Sequence, residues 1–123
     1  KGCIYDDNLN KKLELYDVEG GSTFNEGLAV VFKHDKYKIL YGYINPEGKV
    51  VIDCKYRYVK PFSEGLAAVE NNNELWGYIN KKGEIVIDFQ YKYADNFKDG
   101  TAHVSLQNGN RIKIDKIGKE VKN

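Results

Sequence analysis

Apolar and polar residues alternate with period two along most of this chain. In Ile85-Val86-Ile87-Asp88-Phe89-Gln90-Tyr91, the residues Ile85, Ile87, Phe89 and Tyr91 fall on one side and Val86, Asp88 and Gln90 on the other. That is the pattern of a strand with one buried face. Val50, Ile52, Cys54 and Tyr56 repeat the first set 35 residues earlier. Leu66-Ala67-Ala68-Val69 predicts a short strand of small residues, and Leu75-Trp76-Gly77-Tyr78-Ile79 an aromatic and β-branched one. No helical stripe longer than a turn is present.

The segments between these strands carry turn chemistry. Asn71-Asn72-Asn73 and Asn108-Gly109 predict hairpins joining a first strand to a second, because Asn and Gly accept positive φ. Asn45-Pro46-Glu47-Gly48 and Asn80-Lys81-Lys82-Gly83 predict type I turns ending on a left-handed Gly, joining second to third. A unit is then a three-stranded antiparallel meander, with a longer link such as Tyr91 to Phe97 leading onward.

The units recur. Phe24-Asn25-Glu26-Gly27-Leu28-Ala29, Phe62-Ser63-Glu64-Gly65-Leu66-Ala67 and Phe97-Lys98-Asp99-Gly100-Thr101-Ala102 share one frame, as do Tyr41-Gly42-Tyr43-Ile44 and Trp76-Gly77-Tyr78-Ile79. The spacing is 35 residues, except that three extra residues in the first copy lie within Lys33 to Lys38. Lys1-Gly2-Cys3-Ile4 falls in the frame of Trp76 to Ile79, so the sequence opens in mid-unit. Arg111 to Gly118 fills the same frame without its aromatic, Gly and Tyr. The organisation expected is a single repeat domain over residues 1–123, with a partial unit 1–23, units 24–61 and 62–96, and a degenerate, more polar terminal unit 97–123. The fold class is all-β: tandem three-stranded meanders of about 35 residues packed as an array, with a closed barrel or propeller-like ring as the alternative.

The recurrent positions read as architecture. Phe24, Phe62 and Phe97 keep the frame of the core, and Gly27, Gly48, Gly65, Gly83 and Gly100 are turn glycines. Gly42 and Gly77 lie inside strands, where Gly costs about 0.5 to 1 kcal/mol relative to Ala. Close approach of a neighbouring ring, or a bend in the strand, would offset that cost.

Charge narrows the choice of function. The 19 basic and 18 acidic residues leave a net charge of +1, so no global field draws in nucleic acid. No apolar run is long enough to span a bilayer. Cys3 and Cys54 sit where other copies carry aromatics and read as small buried hydrophobes; a pair of cysteines does not by itself argue for an oxidising compartment. Glu26, Glu64 and Asp99 precede Gly in every copy, and Asp53 and Asp88 recur on the polar face of the third strand. Regular acidic positions suggest calcium, but no dense oxygen-ligand loop exists and acidic turn residues are ordinary, so no metal or cofactor is expected. His34 and His103 have no recurrent Cys, Ser or carboxylate beside them, and Gly20-Gly21 lacks the strand-glycine-helix setting of a phosphate cradle. No enzyme activity is expected.

Taken together, Phe-x-Glu-Gly-Leu-Ala-x-Val, Trp-Gly-Tyr-Ile-Asn-x-x-Gly and Val-Ile-x-x-x-Tyr resemble the bacterial WG repeat, also called the KWG repeat, most completely from Phe62 to Val104. The resemblance implies a bacterial, non-catalytic module with an interaction or scaffold role. Tyr41, Tyr58, Trp76 and Tyr93 recur with the units and are the candidate partner surface, with an interior aromatic layer as the competing reading. A protein partner is expected, or alternatively carbohydrate or cell wall stacking on those rings. The compartment stays open, with envelope or secreted ahead of cytoplasmic. Function is expected where copies differ: the Lys33 to Lys38 insertion, the Asn71 to Asn73 turn and the outward aromatics.

Overall fold

The structure, a computed structural model, describes the backbone of residues 2–5 and 11–18 and the whole of residues 24–122. It is all-β. Strands β1 (Gly2–Tyr5), β2 (Lys11–Val18), β3 (Ala29–Asp35), β4 (Lys38–Ile44) and β5 (Val50–Tyr56) form one sheet in chain order. β6 (Tyr58–Val59), β7 (Ala67–Glu70), β8 (Trp76–Ile79) and β9 (Ile85–Tyr91) form the second, and β10 (Tyr93–Ala94), β11 (Thr101–Ser105) and β12 (Arg111–Asp115) the third. All neighbours pair antiparallel. Three open sheets follow one another, so the closed-ring alternative is replaced by a tandem array. No helix among the described residues is long and apolar enough to cross a membrane.

The link between units is shorter and more regular than the sequence suggested. One residue, Arg57, separates β5 from β6, and Lys92 likewise separates β9 from β10. Arg57 N donates to Glu70 O at 2.9 Å, and Lys92 N to Ser105 O at 2.8 Å. The segment from Tyr91 to Phe97 thus supplies the first, two-residue strand of the next sheet, a strand too brief to show an alternating pattern.

Neighbouring units share their cores. Leu28, Val30, Tyr43 and Ile52 pack with Val59, Phe62, Ala67 and Ile79, and further along Trp76, Tyr78 and Ile87 pack with Ala94, Phe97, Val104 and Ile114. A single meander has too little apolar surface to close a core alone, so stacking supplies the other half. Two rings repeat the junction. Tyr43 meets Phe62 edge-on at 4.7 Å and its hydroxyl donates to Lys60 O at 2.6 Å, while Tyr78 meets Phe97 at 4.8 Å and donates to Asp95 O at 2.6 Å. Burial pushes both phenol pKa values up. Phe62 and Phe97 are 3% and 1% exposed, but Phe24, expected in the same core frame, is 48% exposed. Ile85, expected on the buried face, is exposed at its strand's end.

Of the two alternatives for the strand glycines, the structure has the bend: they admit backbone, not a neighbouring ring. β4 residues Tyr41 and Tyr43 pair with Tyr56 and Ile52, so β5 spends two extra residues opposite Gly42. A Cβ on Gly42 would lie 2.3 Å from Ile52 O and 2.7 Å from Asp53 O. β9 bulges in the same register over Gly77, whose added Cβ would meet Ile87 O at 2.6 Å. A bulge of this kind bends and twists the strand, and the glycine lets the bend close.

Two turn designs recur along the chain. Gly48 and Gly83 take φ of 82° and 83° as expected, and the preceding Asn explains the rest: Asn45 Oδ1 accepts from Glu47 N and Lys49 N, and Asn80 Oδ1 from Lys82 N and Glu84 N. Asn71 does the same for Asn73 N and Leu75 N, and the residue at positive φ there is Glu74, not an Asn. The Phe-x-Glu-Gly segments are tight hairpins with both central residues at positive φ, 54° and 85° at Glu26 and Gly27. Glu is disfavoured there by roughly 1 to 3 kcal/mol. Its carboxylate offsets the strain. Glu26 accepts from Glu64 N at 2.6 Å and Gly65 N at 2.9 Å, and Glu64 accepts from Asp99 N at 2.5 Å and Gly100 N at 2.8 Å.

Two of the acidic positions first weighed for calcium, Glu26 and Glu64, therefore clamp each unit to the next. Lys81 lies 3.6 Å from Glu26, and Lys116 lies 3.5 Å from Glu64. Burial works upward on the Glu26 pKa, but the amides of Gly65 and Glu64 and the Lys81 charge outweigh it and hold it low. The Gly100 amide leads in holding Glu64 low, burial opposing it and Asp99 N and Lys116 assisting.

Candidate functional site

The four aromatics singled out from sequence stand in one row. Tyr41 to Tyr58 is 5.2 Å between ring centroids, Tyr58 to Trp76 6.1 Å, and Trp76 to Tyr93 5.5 Å, with interplanar angles of 71°, 72° and 62°. Phe32 extends the row, 5.9 Å from Tyr41 and 5.8 Å from His34. β4 and β8 supply Tyr41 and Trp76, while β6 and β10 supply Tyr58 and Tyr93, so every second ring comes from the following sheet. The row is divided between core and surface. Trp76 is 5% exposed and belongs to the core, whereas Tyr58 and Tyr93 are 42% and 41% exposed.

Lys60 closes the junction between the second and third sheets. Its ammonium lies 4.1 Å from the Tyr93 centroid and 5.7 Å from that of Trp76, bonds the Tyr93 hydroxyl, and pairs with Asp95 Oδ1 at 3.4 Å. A cation over ring faces is attracted by their quadrupole, the more so when little water competes. Lys60 and Asp95 occupy the same position in successive units, 35 residues apart. That pairing could have been found in the repeat register.

The junction between the first and second sheets is open. A groove of about 660 Å³ lies there, lined by Tyr37, Lys38, Ile39, Leu40, Tyr41, Arg57, Tyr58, Glu70 and Asn72. Its walls are the β3–β4 hairpin, lengthened by the three-residue insertion, and the β7–β8 turn. Tyr37 at the hairpin tip is fully exposed, and Ile39 and Tyr58 are substantially so. Arg57 Nε lies 3.6 Å from Glu70 Oε1. Burial raises the Glu70 pKa, with the Arg57 charge drawing it back. The three features expected to carry function thus meet in one place: the insertion, the Asn71 to Asn73 turn and two outward tyrosines.

The remaining candidate chemistry is scattered. Cys54 is a free, buried thiol pushed up to about 12, chiefly by burial, with Lys33 lowering and Asp53 raising it; its Sγ faces Val31 O at 3.9 Å. The Cys3 thiol and Gly20-Gly21 lie outside the described residues. A second, polar groove of about 590 Å³ on the terminal unit includes Asp95, Asp99, His103 and Lys113, without a Tyr, Phe or Trp in its lining. Among the described residues no three His, Cys, Asp or Glu side chains cluster to hold a metal.

The family described as WG containing repeat matches residues 41–74 and 76–110. The chain belongs to that family: the two matches begin at Tyr41-Gly42 and Trp76-Gly77, the strand glycines under which the bulges close. No curated protein matches the chain.

Proposed function

We propose that this chain is a non-catalytic binding module that holds a partner protein in the groove of its first junction. The observation that carries the reading is the convergence there of the residues that differ between copies, while the shared residues build the array. Exposed tyrosines beside an arginine ion pair are residue types enriched at interface hot spots. A non-catalytic role is supported by the burial of Cys54, the thiol among the described residues.

Ring geometry favours protein over carbohydrate. Stacking on sugars needs open ring faces, but these rings meet edge to face, Trp76 is buried, and Lys60 lies over it. The test is capture from an extract of the source cells on the immobilised chain, with a glycan array alongside. A protein captured by wild type, reduced about tenfold in a Tyr37→Ser, Tyr58→Ala double variant, is the expected result. Glycan binding that quenches Trp76 fluorescence, with no protein captured, would overturn it.

A further inference from the structure

The insertion does more than deepen the groove. β4 pairs with β3 along its whole length, from Ala29↔Ile44 to Asp35↔Lys38. Its pairing with β5 ends at Tyr41↔Tyr56, after which the chain turns at Arg57 into the next sheet. Among the described residues, Lys38, Ile39 and Leu40 therefore overhang β5 and pair on one side only. The second unit has no such overhang, because β8 starts at Trp76 and Trp76 itself pairs with Tyr91. The open edge of β4 faces the groove, and all three of its residues line it.

An unpaired edge is a template for another strand, and Lys on such an edge keeps like edges from pairing. Lys38 and Arg57 are the groove's basic residues. Among the described residues its one carboxylate, Glu70, is largely buried and paired with Arg57, whose side chain is half exposed. Equivalent positions at the next junction are Lys92 and Ser105, which cannot form that pair. Tyr37, Ile39 and Tyr58 add apolar surface between the charges.

We infer that the open edge of β4 at Lys38–Leu40 takes an extended, acidic segment of a partner protein as an added strand. Its backbone pairs with β4, alternate carboxylates meet Lys38 and the outer edge of Arg57, and the apolar side chains between them lie on Tyr37, Ile39 and Tyr58. This inference rests on the groove being the partner site and names the chemistry of the occupant.

The probe is a synthetic pentapeptide alternating glutamate and valine, blocked at both ends, titrated into the isotope-labelled full chain. Its counterpart has lysine in place of glutamate. We expect the acidic peptide to shift the resonances of residues 38–40, 57, 58 and 70 and to slow amide exchange at 38–40. The basic peptide should leave them unmoved, and Lys38→Gln with Arg57→Gln should weaken the acidic peptide at least about tenfold. Equal binding of both peptides, shifts elsewhere, or no shifts at millimolar peptide would each overturn the inference. If cellular capture still depends on Tyr37 and Tyr58 in that event, the groove remains the partner site and only the acidic strand is lost.

Discussion

The two junctions of this array are built to one plan and finished differently. Both have a tyrosine on β4 or β8 sealed against the next phenylalanine, a Glu carboxylate clamping the next turn, and a glycine beneath a bulge. At the second junction the ring on β8 is Trp76 and Lys60 spans the gap, so the junction is filled by the chain itself. At the first the ring is Tyr41, and a longer hairpin and the Arg57–Glu70 pair leave a groove. A repeat protein thus keeps its stability in the positions that recur and has freedom to evolve a site where one copy departs from them.

The largest expected effect separates core from rim. Trp76→Ala should cost about 3 to 5 kcal/mol in urea unfolding, as large buried aromatics do, and Tyr58→Ala no more than about 1 kcal/mol. Equal costs would erase the contrast between the filled and the open junction. Gly42→Val and Gly77→Val should each cost about 3 kcal/mol or more, because both added side chains meet backbone rather than a movable ring. A melting temperature unchanged by either substitution would contradict the bulge account.

Smaller effects test the charges. Lys60→Met should cost about 1 kcal/mol through lost ring and Asp95 contacts, while Arg57→Met, with its exposed guanidinium, should change stability by less than about 0.5 kcal/mol. The clamps are common to both junctions and should titrate alike. The Glu26 and Glu64 pKa values are held below 4.5, so each carboxylate adds stability above that pH and loses it as pH falls through its lowered folded value. Thermal melts from pH 6 to pH 3 should fall less steeply for Glu26→Gln and Glu64→Gln than for wild type. Identical slopes would remove the clamps from the account.

Much of the fold could be read along the chain, because strand alternation, turn residues and a 35-residue register are local signals. The row of four aromatics was legible for the same reason: Tyr41, Trp76, Tyr58 and Tyr93 hold equivalent positions. What escaped depends on pairing between distant strands. The two extra residues opposite Gly42 and Gly77 look like any alternating strand until their partners are known, which is why a neighbouring ring and a bend both stayed open. The Glu26 and Glu64 clamps span 38 and 35 residues to the next turn, and a carboxylate preceding Gly gives no sign of that reach. The groove needed both: the insertion was visible, but not that it carries β4 past the end of β5.

The most direct test of a site located at the first junction is to remove what makes that junction different. Deleting three residues from the β3–β4 hairpin, so that it matches the Asn71 to Glu74 turn, takes away the overhang and Tyr37 while leaving clamps, bulges and shared core in place. Capture of the partner from cell extract is then compared with the full chain, with melting temperature as control for folding. The account predicts melting within a few degrees of wild type and loss of capture. Capture at wild-type level by a folded, shortened chain would contradict it.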